Sequence, residues 1–366
     1  MKIKRFAVLG ILSGLCPSLY ADFTQTETTQ ITGGALVGMM KMAGAFSKQA
    51  RQAGEPVVST VMVKGNRMMR SSALQTEIID LDHETITQID TAKRQYTVMT
   101  FAQMKQQMDA AIAKAKAQRQ KGGQESTDQA ANTEVKFQVH VRSTGATKEV
   151  AGLGTTESIL TMAMDAKDKT SGQTGSLAMT NDMWMAPEVP GYEEVRDFYR
   201  RFAVKLGVMM GGAVNTSMLA ALQPGSAEGM ADMVKEMSKL KGIPVLQVLR
   251  MGTTADGTPL PAASEAPLPA SNSPTMPSTG DVANNAAHDA IASRLGALGG
   301  FGGFGRKKKA DVAPEAAADS AGAAPATAAV LMESTTQLSG FSQATVDGSR
   351  FDVPAGYKQV EPKNLD

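Results

Sequence analysis

Between residues 56 and 100 the chain writes one short alternating segment after another, separated by charged turns such as DLDHET (80–85) and DTAKRQ (90–95). Runs this short, joined by turns this polar, predict sequential antiparallel hairpins rather than parallel strands with crossovers. The predicted strands are 56–64, 67–72, 76–82, 85–90 and 95–100. A further segment, EVKFQVHVR (134–142), puts Val135, Phe137, Val139 and Val141 on one face and Lys136, Gln138, His140 and Arg142 on the other. That period of two describes a half-buried antiparallel strand. Strands are also predicted at 23–32, 157–165, 175–185 and 244–251.

Helical periodicity interrupts the strands in three places. At 192–206, Tyr192, Val195, Phe198, Tyr199, Phe202 and Leu206 form one apolar stripe, and acids lead bases along the segment, as the helix dipole favours. Residues 101–119 repeat the pattern with Phe101, Met104, Met108, Ile112 and Ala115, and 34–46 with Leu36, Met39, Met40, Ala43 and Phe46. Each stripe needs a surface to lie against. The expected fold class is therefore α+β: a curved antiparallel sheet, an incomplete β-barrel, wrapped over a few helices.

The ends of the chain carry different information. Lys2, Lys4 and Arg5 precede a short apolar stretch and then Ala21, the pattern of a secretory signal peptide over 1–21. An uncleaved anchor is the competing reading, but Pro17 and the short run suit a membrane span poorly. Cleavage near Ala21 would place the chain in the periplasm or outside the cell. It would also remove Cys16, the single cysteine, and leave no disulfide or thiolate chemistry. The formal charge, +1 with the signal, gives no reason to expect a nucleic-acid partner.

Residues 254–330 hold eight of the 16 prolines amid Ala, Ser and Gly, and the only aromatics there are Phe301 and Phe304. Such a composition buries too little apolar surface to offset chain entropy, so the segment reads as a disordered insertion. A short helix is expected within it near 281–298. The resulting organisation is a first domain part over 22–253, the insertion over 254–330, and final strands over 331–361 that complete the same domain.

The ordered phrases KGNRMM (64–69), EIIDLD (77–82), TITQIDTAKRQYTVMTF (85–101), VAGL (150–153), DMWMAPEVPGYEEV (182–195), GIPVLQVLRM (242–251) and FDVPAGYKQV (351–360) resemble the DUF4412 type of secreted bacterial domain. That group in turn is similar to the LolA-like carriers of outer-membrane lipoproteins. The resemblance spans most of 23–253 plus 331–361. It implies an incomplete barrel over helices with an apolar cavity between them, residues 331–346 pairing with 244–251, and Phe351 and Val353 sealing the last edge. Loop closure grows slowly with length, so a long insertion between two paired strands is tolerable.

Catalytic constellations are scarce. The three histidines, His83, His140 and His288, fall in a turn, on a polar strand face and in the insertion, which leaves little for a serine-histidine-acid triad. Asp80, Asp82 and Glu84 lack the glycine and glutamate spacing of an EF-hand loop. Gly152-Leu153-Gly154 lacks the third glycine of a dinucleotide loop, and no Walker lysine motif occurs.

Methionine is abundant at 24 residues. Three readings stay open: core filling, a pliable wall for apolar ligands, or thioether ligands for Cu(I).

The function expected is therefore non-enzymatic binding of a lipid or other hydrophobic ligand, without a cofactor. Met40, Met62, Met99, Met162, Trp184, Phe198 and Phe202 are the expected cavity lining. The alternative is an envelope scaffold whose flexible insertion contacts a partner protein or a membrane surface. Phe301 and Phe304 ahead of Arg306, Lys307, Lys308 and Lys309 would carry that contact.

Overall fold

A computed structural model describes residues 22–37, 54–121, 133–168, 174–209, 226–254, 258–268 and 328–362. Expectations that fall elsewhere, among them the signal peptide, Met40, the helix near 281–298 and the basic run Arg306 to Lys309, lie outside the described residues. The elements in order are β1 (Phe23–Gly33), β2 (Val57–Lys64), β3 (Arg67–Ser72), β4 (Gln75–Asp80), β5 (Thr85–Asp90), β6 (Gln95–Thr100) and α1 (Phe101–Lys121). There follow β7 (Thr133–Val150), β8 (Leu153–Asp168), β9 (Thr174–Ala186), α2 (Tyr192–Met209) and α3 (Ser226–Met237). The chain finishes with β10 (Ile243–Thr254), β11 (Ala328–Ser342), a 3-10 turn (Gly348–Phe351) and β12 (Lys358–Gln359).

All twelve strands belong to one sheet, in the order β12-β6-β5-β4-β3-β2-β1-β11-β10-β9-β8-β7. Two meanders stand side by side, β6 to β1 and β11 to β7, and the pairing of β1 with β11 joins them. Every pairing is antiparallel except that of β12, which adds in parallel to β6. Strands β6 and β7 do not pair with each other, so the sheet is open and few helices cover it.

Local chemistry explains the meander. The β7–β8 hairpin turns on Ala151 and Gly152, both at positive φ (52° and 79°), and closes on the pair Val150 and Leu153. A two-residue turn with both central residues left-handed matches the twist of its strands. The expected pairing of residues 331–346 with 244–251 forms between β11 and β10, from Leu246 opposite Gln337 to Thr254 opposite Ala328. The long insertion is thus the loop of one hairpin.

The register carries one face across the whole sheet. On β1, Phe23 lies opposite Val63 and Glu27 opposite Ser59; Glu27 also lies opposite Leu338 of β11. Two residues along β11, Thr336 faces Gln247 of β10, which faces Met183 of β9. This face receives the helices. Phe23, Val61, Val63, Met68, Ile79 and Leu81 pack with Phe101 of α1 and with Val195 and Phe198 of α2. At the other end Val141, Leu160, Met183 and Met185 pack with Leu240, just beyond α3. Burial on this scale contributes roughly 1.5–3 kcal/mol for each fully buried large side chain.

Irregular segments cover the opposite face. Met62, Met69, Ile78 and Ile89 lie beneath Val346, Phe351, Val353 and Tyr357 of the C-terminal tail. Phe351 and Val353 therefore cap a sheet face, and the β6 edge itself is closed by Lys358 and Gln359, with Lys358 N donating to Arg94 O at 3.0 Å. Over β9 and β10 lies a strap, residues 258–268, with Leu260 and Ala262 fully buried. That strap departs from the structureless reading of 254–330. Its proline-rich composition gives no periodic signal, and its order comes from polar contacts with the sheet described below.

Two further differences concern helices. Helix α3 was not among the expected elements, although Met230, Met233, Val234 and Met237 repeat at helical spacing. Of the helix expected at 34–46, only a turn at 35–37 lies within the described residues.

Candidate functional site

The helix-bearing face is not uniform. Row by row across β8, β9, β10 and β11, the register sets directly opposed residues side by side, about 4.5–5.5 Å apart at Cβ. One row reads Met162, Met179, Met251 and Met332, so four adjacent strands each present a methionine at the same level. Val139 of β7 extends it by one strand. The row one step along the strands reads Leu160, Asn181, Leu249 and Ser334, and the row on its other side includes Met164 and Leu177. All four methionines of the row are half-buried, not sealed.

A row of aligned thioethers follows from the pleat. Positions i and i+2 on one strand share a face, so Met162 and Met164 stand together on β8 and Met183 and Met185 on β9. Met183 and Met185 are buried, while Met162 and Met179 stay partly open. Unbranched thioether chains adapt to irregular surfaces better than the stiff β-branched residues that strands otherwise favour.

Polarity rises along the strands away from this row. Asn181 Nδ2 donates to Gln247 Oε1 at 3.0 Å, and the Thr29 and Thr336 hydroxyls meet at 3.1 Å. Asn181 Oδ1 is buried and receives no hydrogen bond. Further on, Arg70 Nη1 donates to Glu27 Oε1 at 2.6 Å beneath Tyr199 of α2. Burial alone would lower the Arg70 pKa, but Glu27 and Tyr199 outweigh it and hold the guanidinium protonated beyond its usual range. The face thus offers an apolar, deformable wall bordered by hydrogen-bonding groups.

The residues expected to line a cavity disperse over the molecule. Phe198 and Phe202 do meet: their rings stack at 6.5 Å, and Phe202 sits 5.5 Å from Phe101 in the core under α2. Met162 belongs to the methionine row. Met62 lies on the opposite face beneath the C-terminal tail. Trp184 is buried with Val150, Ala186, Val189 and Val245, and Lys148 Nζ lies 3.7 Å from its ring centroid. Met99 lines a groove of about 390 Å³ with Gln103, Gln107, Ala110, Ala111 and Glu361, between α1 and the tail. The register supplies what single residues could not: Met179, Met251 and Met332 are each unremarkable in sequence and become a site only when their strands align.

A second polar constellation lies under the strap, on the opposite face. Glu157 of β8 and Asp182 of β9 are almost fully buried, at 3% and 2% exposure, with their carboxyl groups within hydrogen-bonding reach of each other. Burial would raise the Glu157 pKa, but hydrogen bonds from Ser264 and Thr144 and the charge of Arg142 pull it below the usual range. Burial first, and then the Glu157 charge, push Asp182 up. Among the described residues no group of three or more His, Cys, Asp or Glu side chains is arranged to hold a metal ion. No helix there is long and apolar enough to cross a membrane. No protein-family model matches the chain, and no curated protein matches it significantly.

Proposed function

We propose that the protein is a non-enzymatic, envelope-located carrier or sensor that holds a lipid-like ligand on the methionine-lined face of its sheet. The observation that carries this reading is the row Met162, Met179, Met251 and Met332, half-buried on the face that also carries α1 and α2. An acyl chain laid along the row would bury both surfaces, at about 0.8 kcal/mol per methylene removed from water. The neighbouring polar strip suits the ligand's other end. That strip is formed by the Asn181–Gln247 and Thr29–Thr336 hydrogen bonds.

On this reading the chain has the LolA-like arrangement, in which an incomplete antiparallel barrel presents an apolar surface beside its helices. The open sheet with α1 and α2 on one face supports that assignment. Localisation in the periplasm or outside the cell rests on the leader-like residues 1–21.

The test is native mass spectrometry of the mature protein purified from its own envelope, followed by solvent extraction and lipid analysis. A co-purifying acyl lipid is the expected result. A clean apo mass that stays unchanged when phospholipid or lipopeptide is offered would reject the carrier reading.

A further inference from the structure

The strap has little apolar material of its own. Leu260 and Ala262 are its only fully buried side chains, Leu268 lies against Gly33 of β1, and much of what else holds it is polar. Thr180 Oγ1 donates to Leu260 O at 2.6 Å. Arg250, 3% exposed, donates through Nη1 to the carbonyls of Pro261, Ala262 and Ala266 at 3.0, 3.0 and 2.7 Å, and through Nε to Glu333 Oε2 at 2.8 Å. Arg142 pairs with Glu265. A further attachment is Ser264, whose backbone N–H donates to Asp182 Oδ2 at 3.1 Å and whose hydroxyl reaches the two buried carboxyls.

Those carboxyls have an unusual accounting. The Thr144 hydroxyl bonds Glu157 Oε2 and Ser264 serves Asp182 Oδ2, yet Glu157 Oε1 and Asp182 Oδ1 are buried without any donor. Two ionised carboxylates in contact cannot donate to each other, and a buried pair of like charges is strongly unfavourable. A single proton between them turns two orphaned acceptors into one charge-assisted hydrogen bond.

We propose that one proton shared by Glu157 and Asp182 latches the strap 258–268 onto the sheet, and that loss of this proton releases it. The charged groups facing the pair set the window. Arg142 is engaged with Glu265, and Lys148 lies over the Trp184 ring. Arg250 and Glu333 neutralise each other one row away, and His140 faces Glu236 at the β7 edge. Arg142 acts on Glu157 and Lys148 on both carboxylates, but each is also engaged elsewhere, so a second negative charge on the pair is only partly compensated.

The sign follows from the two carboxyls separately. Asp182, with its pKa raised, favours the docked state below its unfolded pKa, and that contribution is lost as pH rises through the raised value. Glu157, with its pKa lowered, contributes above its unfolded pKa and loses the contribution as pH falls through the lowered value. The strap is held most firmly between these limits, where the pair carries one proton.

Hydrogen exchange of the 259–268 amides in the full chain, corrected for intrinsic rates across a pH series in EDTA buffer, reads the latch directly. Above the upper limit, protection should fall by about tenfold per pH unit, the slope of a single lost proton. Asp182→Asn, which keeps a neutral donor beside Glu157, should flatten that slope while the core amides stay protected. Glu157→Gln likewise leaves one carboxylate beside a neutral donor and should weaken the slope, which tests the pair independently if the first variant folds poorly. Parallel wild-type and Asp182→Asn profiles would overturn the proposal. Strap protection that appears only with added calcium would overturn it as well, since a cation would then bridge the carboxyls.

Discussion

Arg250 shows how much one buried side chain organises. Its guanidinium serves Glu333 and three strap carbonyls at once, a fork geometry that lysine cannot reproduce. Arg250→Leu should cost about 3–5 kcal/mol in denaturant unfolding, because Glu333 and the carbonyls lose their donor together. Arg250→Lys should recover only part of that loss. His83 is a milder case at the surface: its Nδ1 lies 2.8 Å from Asp80 Oδ2, and that hydrogen bond and charge raise the imidazole pKa. The pair therefore stabilises the fold below the unfolded histidine pKa, and the contribution fades as pH rises through the raised one. An NMR titration should place His83 above the ordinary histidine range and return it there in Asp80→Asn; an unchanged midpoint would break the link.

The structured elements differ in how openly the sequence announces them. Strands β2 to β6 were legible because each residue alternates between two apolar faces or an apolar and a wet one, as Val61, Met62 and Val63 do. The β10–β11 pairing across the insertion was legible only through the resemblance, since no local pattern spans so long a loop. Strands β7 and β8 extend beyond their expected ends because Thr147 to Val150 and Leu153 to Thr156 follow the hairpin register, not an apolar rhythm. The strap escaped for the same physical reason: Arg250 and Asp182 order it from outside, and Pro259 to Leu268 carries no period. The C-terminal tail can be tested as an element. Phe351 is 6% exposed over Met62, Met69 and Ile78, with Arg67 4.9 Å from its ring centroid. Phe351→Ala should cost about 3–5 kcal/mol by thermal or urea unfolding. A loss below about 1 kcal/mol would mean that the tail merely rests on the sheet.

At the scale of the whole molecule, the two sheet faces divide the labour. One is closed by the tail and the strap, while the other carries α1 and α2 at one end and Leu240 at the other and leaves the methionine row partly open between them. Single methionines gave no hint of this, because the row exists only through the registers of four strands. Met179 stands near its centre, opposite Met162 and Met251. Replacing all four by leucine conserves volume and should cost less than about 1.5 kcal/mol per site, so the fold should stand. The stiffer leucines should narrow the range of ligands that the wall accepts. Met179→Glu separates fold from function more sharply. At a partly open position the carboxylate can reach water in the free protein, but an acyl chain laid over it would strip that water away. Burying the charge costs more than the ~1.4 kcal/mol that a factor of ten represents, so affinity for a fluorescent fatty-acid probe should fall by about tenfold or more. Melting temperature should change little. If probe affinity survives Met179→Glu while Phe198→Ala abolishes it in a still-folded protein, the ligand lies under α2 and the methionine row is a wall without a guest.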